Sequence, residues 1–116
     1  MRSFGFALDG LAYLIRTQRN FRIHLILALA AVVAGVAFGL GGIEWAILVV
    51  TIALVMMTEA LNTGIELAVS LASPDPRPEA KAAKDIAAGA VLLAAAAAVA
   101  VGVALFGPRV IALFRP

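Results

Sequence analysis

The first twenty residues carry apolar and charged positions at the spacing of an α-helix. The apolar positions recur four, three and four residues apart, at Phe4, Leu8, Leu11 and Ile15. The charged positions recur seven residues apart, at Arg2, Asp9 and Arg16. This pattern predicts an amphipathic helix over residues 1–20. Because long apolar stretches follow it, we expect this helix to lie along a membrane surface, with its arginines near the lipid headgroups.

Three long stretches with almost no charge follow, and each predicts a membrane-spanning helix. A span needs about twenty mainly apolar residues, and the uncharged runs are residues 25–40, 45–58 and 86–106. With their flanking residues, these runs predict helices over residues 22–40, 44–72 and 79–107. Gly41 and Gly42 supply the first connection, and three prolines make residues 73–78 a loop. Pro108 is expected to end the last helix.

The composition agrees with a small integral membrane protein. Of the 116 residues, 64% are hydrophobic and 14% are charged, and the mean hydropathy is +1.07. The polar segments are short, so we expect a single membrane domain over residues 1–116. Cysteine is absent, which excludes disulfides and thiolate metal sites. The predicted fold class is an all-α membrane protein, with an N-terminal amphipathic surface helix followed by three transmembrane helices.

The basic residues are unequally distributed between the two ends of the predicted spans. Seven of them precede the first span or lie between the second and the third, namely Arg2, Arg16, Arg19, Arg22, Arg77, Lys81 and Lys84. Only Arg109 and Arg115 follow the third span, and none lies in the first connection. By the positive-inside rule, this asymmetry places the N-terminus and the loop at 73–85 in the cytoplasm and the C-terminus outside.

The second span ends in a line of polar residues. At about 100° per residue, Glu59, Asn62 and Glu66 fall within an arc of about 60° on one helix face, and Ser70 continues the line. Carboxylates in a membrane segment are costly and indicate a functional site. A polar contact between helices is the alternative, but such a contact needs only one polar group and no negative charge.

The third span begins with a second polar group. Lys81, Lys84, Asp85 and Ala88 share a helix face about 100° wide, on the same side of the membrane as Glu66. Lysines at such a position can serve only as topology signals and membrane anchors. Together with the carboxylates, however, they offer what phosphoryl transfer requires: neutralisation of phosphate charge, Mg²⁺ ligands and a positioned base.

Four motifs resemble one protein family and together cover nearly the whole chain. They are E-A-L-N-T-G-I-E at 59–66, A-K-A-A-K-D-I-A-A-G-A-V-L at 80–92, S-F-x-x-A-x-x-G at 3–10 and R-x-x-R-N-F-x-x-H at 16–24. This set is similar to the bacterial integral-membrane diacylglycerol kinase and undecaprenol kinase family. The resemblance implies a homotrimer in the bacterial plasma membrane, with active sites shared between protomers.

The activity that the resemblance implies is transfer of the γ-phosphate of ATP to a membrane lipid alcohol, with Mg²⁺ as the cofactor. The R-N-F sequence with His24 looks more like the undecaprenol kinases, so undecaprenol is favoured and diacylglycerol comes next. The expected partners are therefore ATP, the lipid alcohol, the membrane and two further copies of the chain. No nucleic-acid partner is expected.

The resemblance also assigns roles to single residues. Glu59 corresponds to the catalytic base and Asn62 to an active-site polar residue. Glu66 and Gln18 correspond to metal ligands. The positions that correspond to nucleotide binding are Gln18, Glu66, Asp75, Arg77, Lys84 and Asp85. The positions expected to contact the lipid substrate are Asn20, Phe21, Glu59 and Ala88.

Some positions depart from the family pattern. Gln18 stands where a glutamate is usual, so a metal ion held there would lose one negatively charged ligand. Ser70 replaces a common aspartate. Pro76 and Arg77 replace a histidine pair, and the guanidinium offers a direct contact to phosphate. His24 lies at a position typical of the family, and we assign it no catalytic role.

Two other functions fit parts of the pattern. A non-enzymatic membrane protein, in which the acids relay protons or pair helices, explains the acidic line of the second span. It gives no role to Lys84 and Asp85. A kinase fold without activity is the other alternative, and Gln18 favours it. Mg²⁺-dependent ATP consumption that requires a lipid alcohol would separate the active kinase from both.

Overall fold

The computed structural model describes residues 2–116, and these residues form four α-helices without a β-strand. The helices are α1 (Arg2–Thr17), α2 (Arg19–Phe38), α3 (Gly42–Ala72) and α4 (Pro78–Leu113). By length and composition, α2, α3 and α4 can each cross a membrane. The predicted fold class, an N-terminal helix followed by three spans, is confirmed, and the chain is a multi-pass membrane protein.

A single residue separates α1 from α2. Gln18 has an extended backbone, with φ of −107° and ψ of 107°, so α2 begins at Arg19 and not at residue 22. The Arg22 guanidinium donates hydrogen bonds to the carbonyl oxygens of Ile15 and Arg16, at 2.9 and 3.1 Å. These bonds satisfy carbonyl groups that the end of α1 leaves without helical partners. The side chain of Arg22 therefore joins the end of α1 to the first turn of α2 and helps to fix the orientation of one helix relative to the other.

The turn between α2 and α3 depends on two glycines. Gly39 has a φ of +69°, a left-handed conformation that glycine adopts without steric cost, and it ends α2. Gly35 lies where α3 approaches most closely, because a Cβ atom at this position would be 2.7 Å from Cη2 of Trp45. The indole ring of Trp45 thus packs directly against the backbone of α2.

The helices α3 and α4 run antiparallel and make the most extensive contact in the protein. Near the end of the bundle where α3 begins, Leu40, Leu48 and Leu105 form a buried cluster. Most other large apolar side chains are exposed, as expected for helices that face lipid. The connection between α3 and α4 spans residues 73–77, and Pro78 occupies the first turn of α4, where its missing N–H costs nothing.

The expectation that Pro108 ends the last helix is wrong, because α4 continues through it to Leu113. Proline removes one backbone hydrogen bond and crowds the preceding turn, but membrane helices tolerate it where neighbouring groups satisfy the backbone. Pro108 leaves the carbonyl oxygen of Ala104 without its helical donor. Beside it, the Arg109 guanidinium donates to the carbonyl oxygen of Leu105 at 2.7 Å and also binds Glu44 of α3. These bonds hold the last turns of α4 in place.

Candidate active site

The centre of the candidate site is a buried carboxylate on α3. The buried positions of α3 are Leu48, Val55, Glu59 and Thr63. They are separated by seven, four and four residues, which is the spacing of one helix face. Glu59 therefore lies on the face that packs against the other helices, and only 4% of the residue is exposed. A buried charge is costly unless it is paired, so its partner matters.

That partner is His24 of α2. Its Nε2 atom lies 3.2 Å from Oε1 of Glu59, which is within hydrogen-bonding distance. The side chain of His24 is 22% exposed and that of Glu59 is 5% exposed. The imidazole is thus the more exposed of the two groups.

An apolar groove begins at the same histidine. It has a volume of about 340 Å³ and lies between α2, α3 and α4. Apart from His24 and Thr51, every residue that lines it is apolar, and Val55 and Met56 line it one turn before Glu59. Since residues four apart share a helix face, Val55 directs the groove towards the carboxylate. A long apolar chain with a polar head fits this arrangement, with the head at Glu59.

Two further polar residues of α3 lie one turn beyond Glu59. The Thr63 hydroxyl donates to the Glu59 backbone carbonyl oxygen at 3.1 Å, so its role is structural. Asn62 differs, because its Oδ1 atom is buried and accepts no hydrogen bond from any residue in the range 2–116. Buried polar atoms are normally paired. The amide oxygen of Asn62 is therefore available to a donor from a substrate or from water.

The end of α3 carries the other predicted acid in a different environment. Glu66 is exposed, whereas Glu59 is buried. One turn later, the Ser70 hydroxyl accepts a hydrogen bond from Nζ of Lys84 on α4, at 2.9 Å. Glu66 and Ser70 share a helix face, so the exposed carboxylate and the Lys84 ammonium group lie at the same end of the bundle. Within the described residues 2–116, no carboxylate pairs with Lys84. Both the carboxylate and the ammonium group can bind a charged ligand.

The predicted nucleotide-binding residues are all at this end, but they do not form one cluster in the protomer. Asp75 and Arg77 are exposed in the loop before α4. Asp85 is exposed and pairs with Lys81, with Nζ and Oδ2 separated by 2.5 Å. Lys84 points to α3 instead. The structure thus brings Lys84 to the Glu66 face and leaves Asp85 with a partner on its own helix.

The predicted metal ligands offer few protein oxygens. Among residues 2–116, no three His, Asp or Glu side chains lie together as a metal site would require. Gln18 donates from Nε2 to the Thr17 hydroxyl at 3.1 Å, which leaves its Oε1 as an acceptor. The exposed Glu66 carboxylate and this amide oxygen are hard ligands. They fit Mg²⁺ that retains water and is shared with substrate phosphates, which is its usual coordination.

The residues predicted to contact the lipid substrate are in unlike positions. Asn20 and Ala88 are exposed, and Phe21 is 5% exposed and belongs to the packed interior of the protomer. Sequence reasoning placed Glu59 on a polar line with Asn62 and did not identify its contact with His24. The signal for this contact was a histidine directly before the uncharged run of the first span, residues 25–40.

The sequence matches known proteins over almost its full length. A family model described as prokaryotic diacylglycerol kinase matches residues 5–106. A diacylglycerol kinase of Synechocystis sp. is 47% identical over 112 residues, which are 96% of this chain and 64% of that protein. An undecaprenol kinase of Bacillus subtilis is 40% identical over 108 residues, which are 93% of this chain and 88% of that protein.

A diacylglycerol kinase of Helicobacter pylori is more distant, at 34% identity over 85 residues, which are 73% of this chain and 66% of that protein. The chain therefore spans slightly less than two thirds of the length of both diacylglycerol kinases and most of the undecaprenol kinase. The similarity extends across the segments that carry His24, Glu59, Glu66 and Lys84.

Proposed function

Because the chain belongs to the prokaryotic diacylglycerol kinase family, we propose that it transfers the γ-phosphate of ATP to the hydroxyl group of a membrane lipid alcohol. The family predicted from the four motifs is confirmed. The named relatives are kinases whose substrates carry one hydroxyl group on an apolar body. The observation that supports this activity best is the buried carboxylate of Glu59, which contacts the histidine at the end of an apolar groove.

The groove suggests how the lipid substrate binds. Its carbon chain would lie between α2, α3 and α4, and its hydroxyl would reach the level of Glu59 and Asn62. Glu59 would accept the hydroxyl proton as the oxygen attacks the γ-phosphorus and ADP leaves. Such a base must lie within hydrogen-bonding reach of the proton that it removes. Asn62 would orient the hydroxyl by donating from its side-chain N–H to the hydroxyl oxygen, because the single hydroxyl proton goes to Glu59.

The nucleotide would bind at the exposed end of α3 and α4. Among residues 2–116, no carboxylate pairs with Lys84, whose ammonium group binds the Ser70 hydroxyl, and it would bind phosphate oxygens as a charge-assisted donor. Arg77, and Asp75 beside it, would contact the nucleotide from the loop, together with Asp85 at the start of α4. Glu66 and Gln18 would hold Mg²⁺, which neutralises the charge of the β- and γ-phosphates when bound.

We also propose that the enzyme is a homotrimer in the bacterial plasma membrane, with the N-terminus in the cytoplasm and the C-terminus outside. The charge asymmetry of the loops supports this orientation. No hydrogen bond or ion pair joins Gln18 to Glu66 within residues 2–116. A site completed by a second protomer would explain why the ligands are incomplete in one chain. Chemical cross-linking in vesicles would test for the trimer.

Undecaprenol remains the favoured substrate, because the R-N-F sequence and His24 at residues 19–24 are similar to the undecaprenol kinases. The named relatives include both kinds of kinase, so the choice between the two alcohols needs an assay. A direct competition between undecaprenol and diacylglycerol in the same vesicles would rank them by kcat/KM.

The decisive experiment measures transfer of ³²P from [γ-³²P]ATP to lipid. The purified protein is placed in phospholipid vesicles that contain undecaprenol, diacylglycerol or neither, with and without Mg²⁺. We expect labelled lipid phosphate only when both an alcohol and Mg²⁺ are present. Absence of transfer to either alcohol at every Mg²⁺ concentration would instead favour the inactive homologue. ATP consumption without an alcohol would contradict the proposed reaction.

A further inference from the structure

We propose that His24 is the positioning residue of the catalytic base: its Nε2–H donates a hydrogen bond to Oε1 of Glu59 and leaves Oε2 to receive the substrate proton. This inference rests on the proposed kinase function for its catalytic meaning, but the contact itself does not. Nε2 and Oε1 are 3.2 Å apart. Such bonds often shorten only when the substrate is bound.

The contact is specific because Glu59 has no competing basic partner. Among residues 2–116, only His24 pairs with this carboxylate, and the other ion pairs are Lys81 with Asp85 and Arg109 with Glu44. The imidazole comes from α2, while the carboxylate comes from α3. A hydrogen bond between them would fix a side chain that could otherwise rotate about its own torsions.

The position of His24 connects the base with the lipid groove. The imidazole lines the end of the groove and is more exposed than the carboxylate that it contacts. An alcohol in the groove would meet the imidazole and the carboxylate together. A bond from Nε2 to one carboxylate oxygen selects which oxygen faces that alcohol. Catalysis is sensitive to such placement, since an error of about 1 Å can cost on the order of 10²-fold in rate.

A purely structural role is the alternative, in which His24 only packs α2 against α3. The two roles predict different results for replacements of the same size. Phenylalanine fills the space of the imidazole without a donor, and glutamine places an N–H group where Nε2 lies. If His24 only packs, phenylalanine should serve as well as glutamine. If it positions Glu59, only glutamine should restore the rate.

The contact can be measured without catalysis, because His24 is the one histidine of the chain. Protein labelled with [¹⁵N]histidine in lipid nanodiscs gives one pair of imidazole nitrogen signals. We expect Glu59→Gln to shift the Nε2 signal, while the charge-matched control Glu79→Gln, at an exposed residue of α4, leaves it unchanged. An Nε2 signal that does not respond to Glu59→Gln would overturn the proposal, whatever the activity of the protein.

Kinetics then tests the positioning role. For His24→Phe we expect kcat to fall about 10- to 100-fold with the KM for ATP unchanged, and for His24→Gln we expect recovery of most of that loss. A His24→Phe enzyme with wild-type kcat would contradict the positioning role, as would an equal loss of kcat in both variants. If the wild-type protein transfers no phosphate while the Nε2 signal shifts as expected, the proposed kinase function fails and the contact stands as structural.

Discussion

The charged residues at the two ends of the α3–α4 pair have different kinds of partner. Where α3 begins, Glu44 and Arg109 form two hydrogen bonds of 2.8 Å, and the same carboxylate accepts a bond from the backbone N–H of Gly41 at 3.1 Å. Where α3 ends, Glu66 is exposed and Lys84 binds only the neutral Ser70 hydroxyl. At the first end a carboxylate of α3 and a guanidinium of α4 neutralise each other. At the second end Glu66 and Lys84 remain separate, and the ion pair there joins Lys81 to Asp85 within α4.

This difference separates charged residues that stabilise the fold from charged residues that can bind a ligand, in a chain with few charged residues. Joined carboxylate and guanidinium groups satisfy each other and stabilise the helix pair, so they have little capacity left for a ligand. Separate charges must be solvated or bound by something else. Glu59 lies about 22 Å along α3 from Glu44 and shares features of both ends. It is buried beside a partner, yet that partner is a histidine and not an arginine. We therefore expect replacements at the two ends to change different quantities.

The largest effect should come from Glu59→Gln. The change is nearly isosteric and removes the basicity and the charge, so we expect phosphate transfer to fall at least about 10²-fold, with helix content and oligomeric state unchanged. Lipid phosphorylation in vesicles and circular dichroism would measure the two outcomes. If the variant kept more than about a tenth of the wild-type turnover, Glu59 would not be the base.

The second-largest effect should come from replacing Lys84, whose ammonium group binds the Ser70 hydroxyl. Lys84→Ala should raise the KM for ATP by about 10-fold or more, because a charge-assisted hydrogen bond to phosphate is lost, and it should leave the KM for the lipid unchanged. Lys81→Ala removes the same charge three residues away, but that charge already pairs with Asp85. Its effect on the KM for ATP should be much smaller. Equal effects of the two replacements on the KM for ATP would indicate that Lys84 serves only as a membrane anchor.

A replacement at the opposite end should affect stability and not kinetics. Glu44→Gln keeps the shape of the side chain but weakens its bonds to Arg109 and to the Gly41 backbone. We expect a lower thermal midpoint of unfolding, with kcat and both KM values within about twofold of the wild type. A large loss of kcat at an unchanged midpoint would show that this end contributes to the reaction. Thermal unfolding in detergent beside the transfer assay gives both readings.

Much of the fold follows from local patterns that the sequence displays directly. A helix in a membrane must be long and apolar, so three uncharged runs were enough to predict α2, α3 and α4. The continuation of α4 past Pro108 did not follow, because the contacts of the next residue, Arg109, include a partner on another helix, Glu44. Glu44 is 65 residues away from Arg109 in the sequence, and no period relates the two positions.

The candidate site likewise separates what local sequence patterns predict from what depends on contacts between helices. The spacing of Glu59, Asn62 and Glu66 places them on one line of a helix, and that much is a property of the local chain. Which of them is buried depends on how far the other helices extend along α3, and the structure buries Glu59 while it exposes Glu66. The contact between His24 and Glu59 joins two helices, so only the packing of α2 against α3 could show it.

The smallest expected effect tests whether Gln18 belongs to the metal shell. Mg²⁺ is commonly held by one or two carboxylates plus substrate phosphates, so a site with Glu66 and a neutral amide should bind it weakly but should still bind it. Gln18→Glu adds an anionic oxygen. We expect the free Mg²⁺ concentration for half-maximal activity to fall severalfold, on the order of the change that one added carboxylate ligand produces, while kcat at saturating Mg²⁺ stays near the wild-type value.

The matched control for this prediction is Asp9→Asn, which changes the charge of α1 by the same amount at an exposed position, with the opposite sign. If the shift reported only the general charge of the surface helix, the two variants would move the Mg²⁺ midpoint in opposite directions by similar amounts. A ligand role requires that Gln18→Glu move it and that Asp9→Asn leave it in place. Gln18 is the only residue between α1 and α2, so its backbone is fixed by the helices on either side. A midpoint that Gln18→Glu does not move would therefore exclude its side chain from the metal shell and leave Glu66 as the sole protein ligand proposed there.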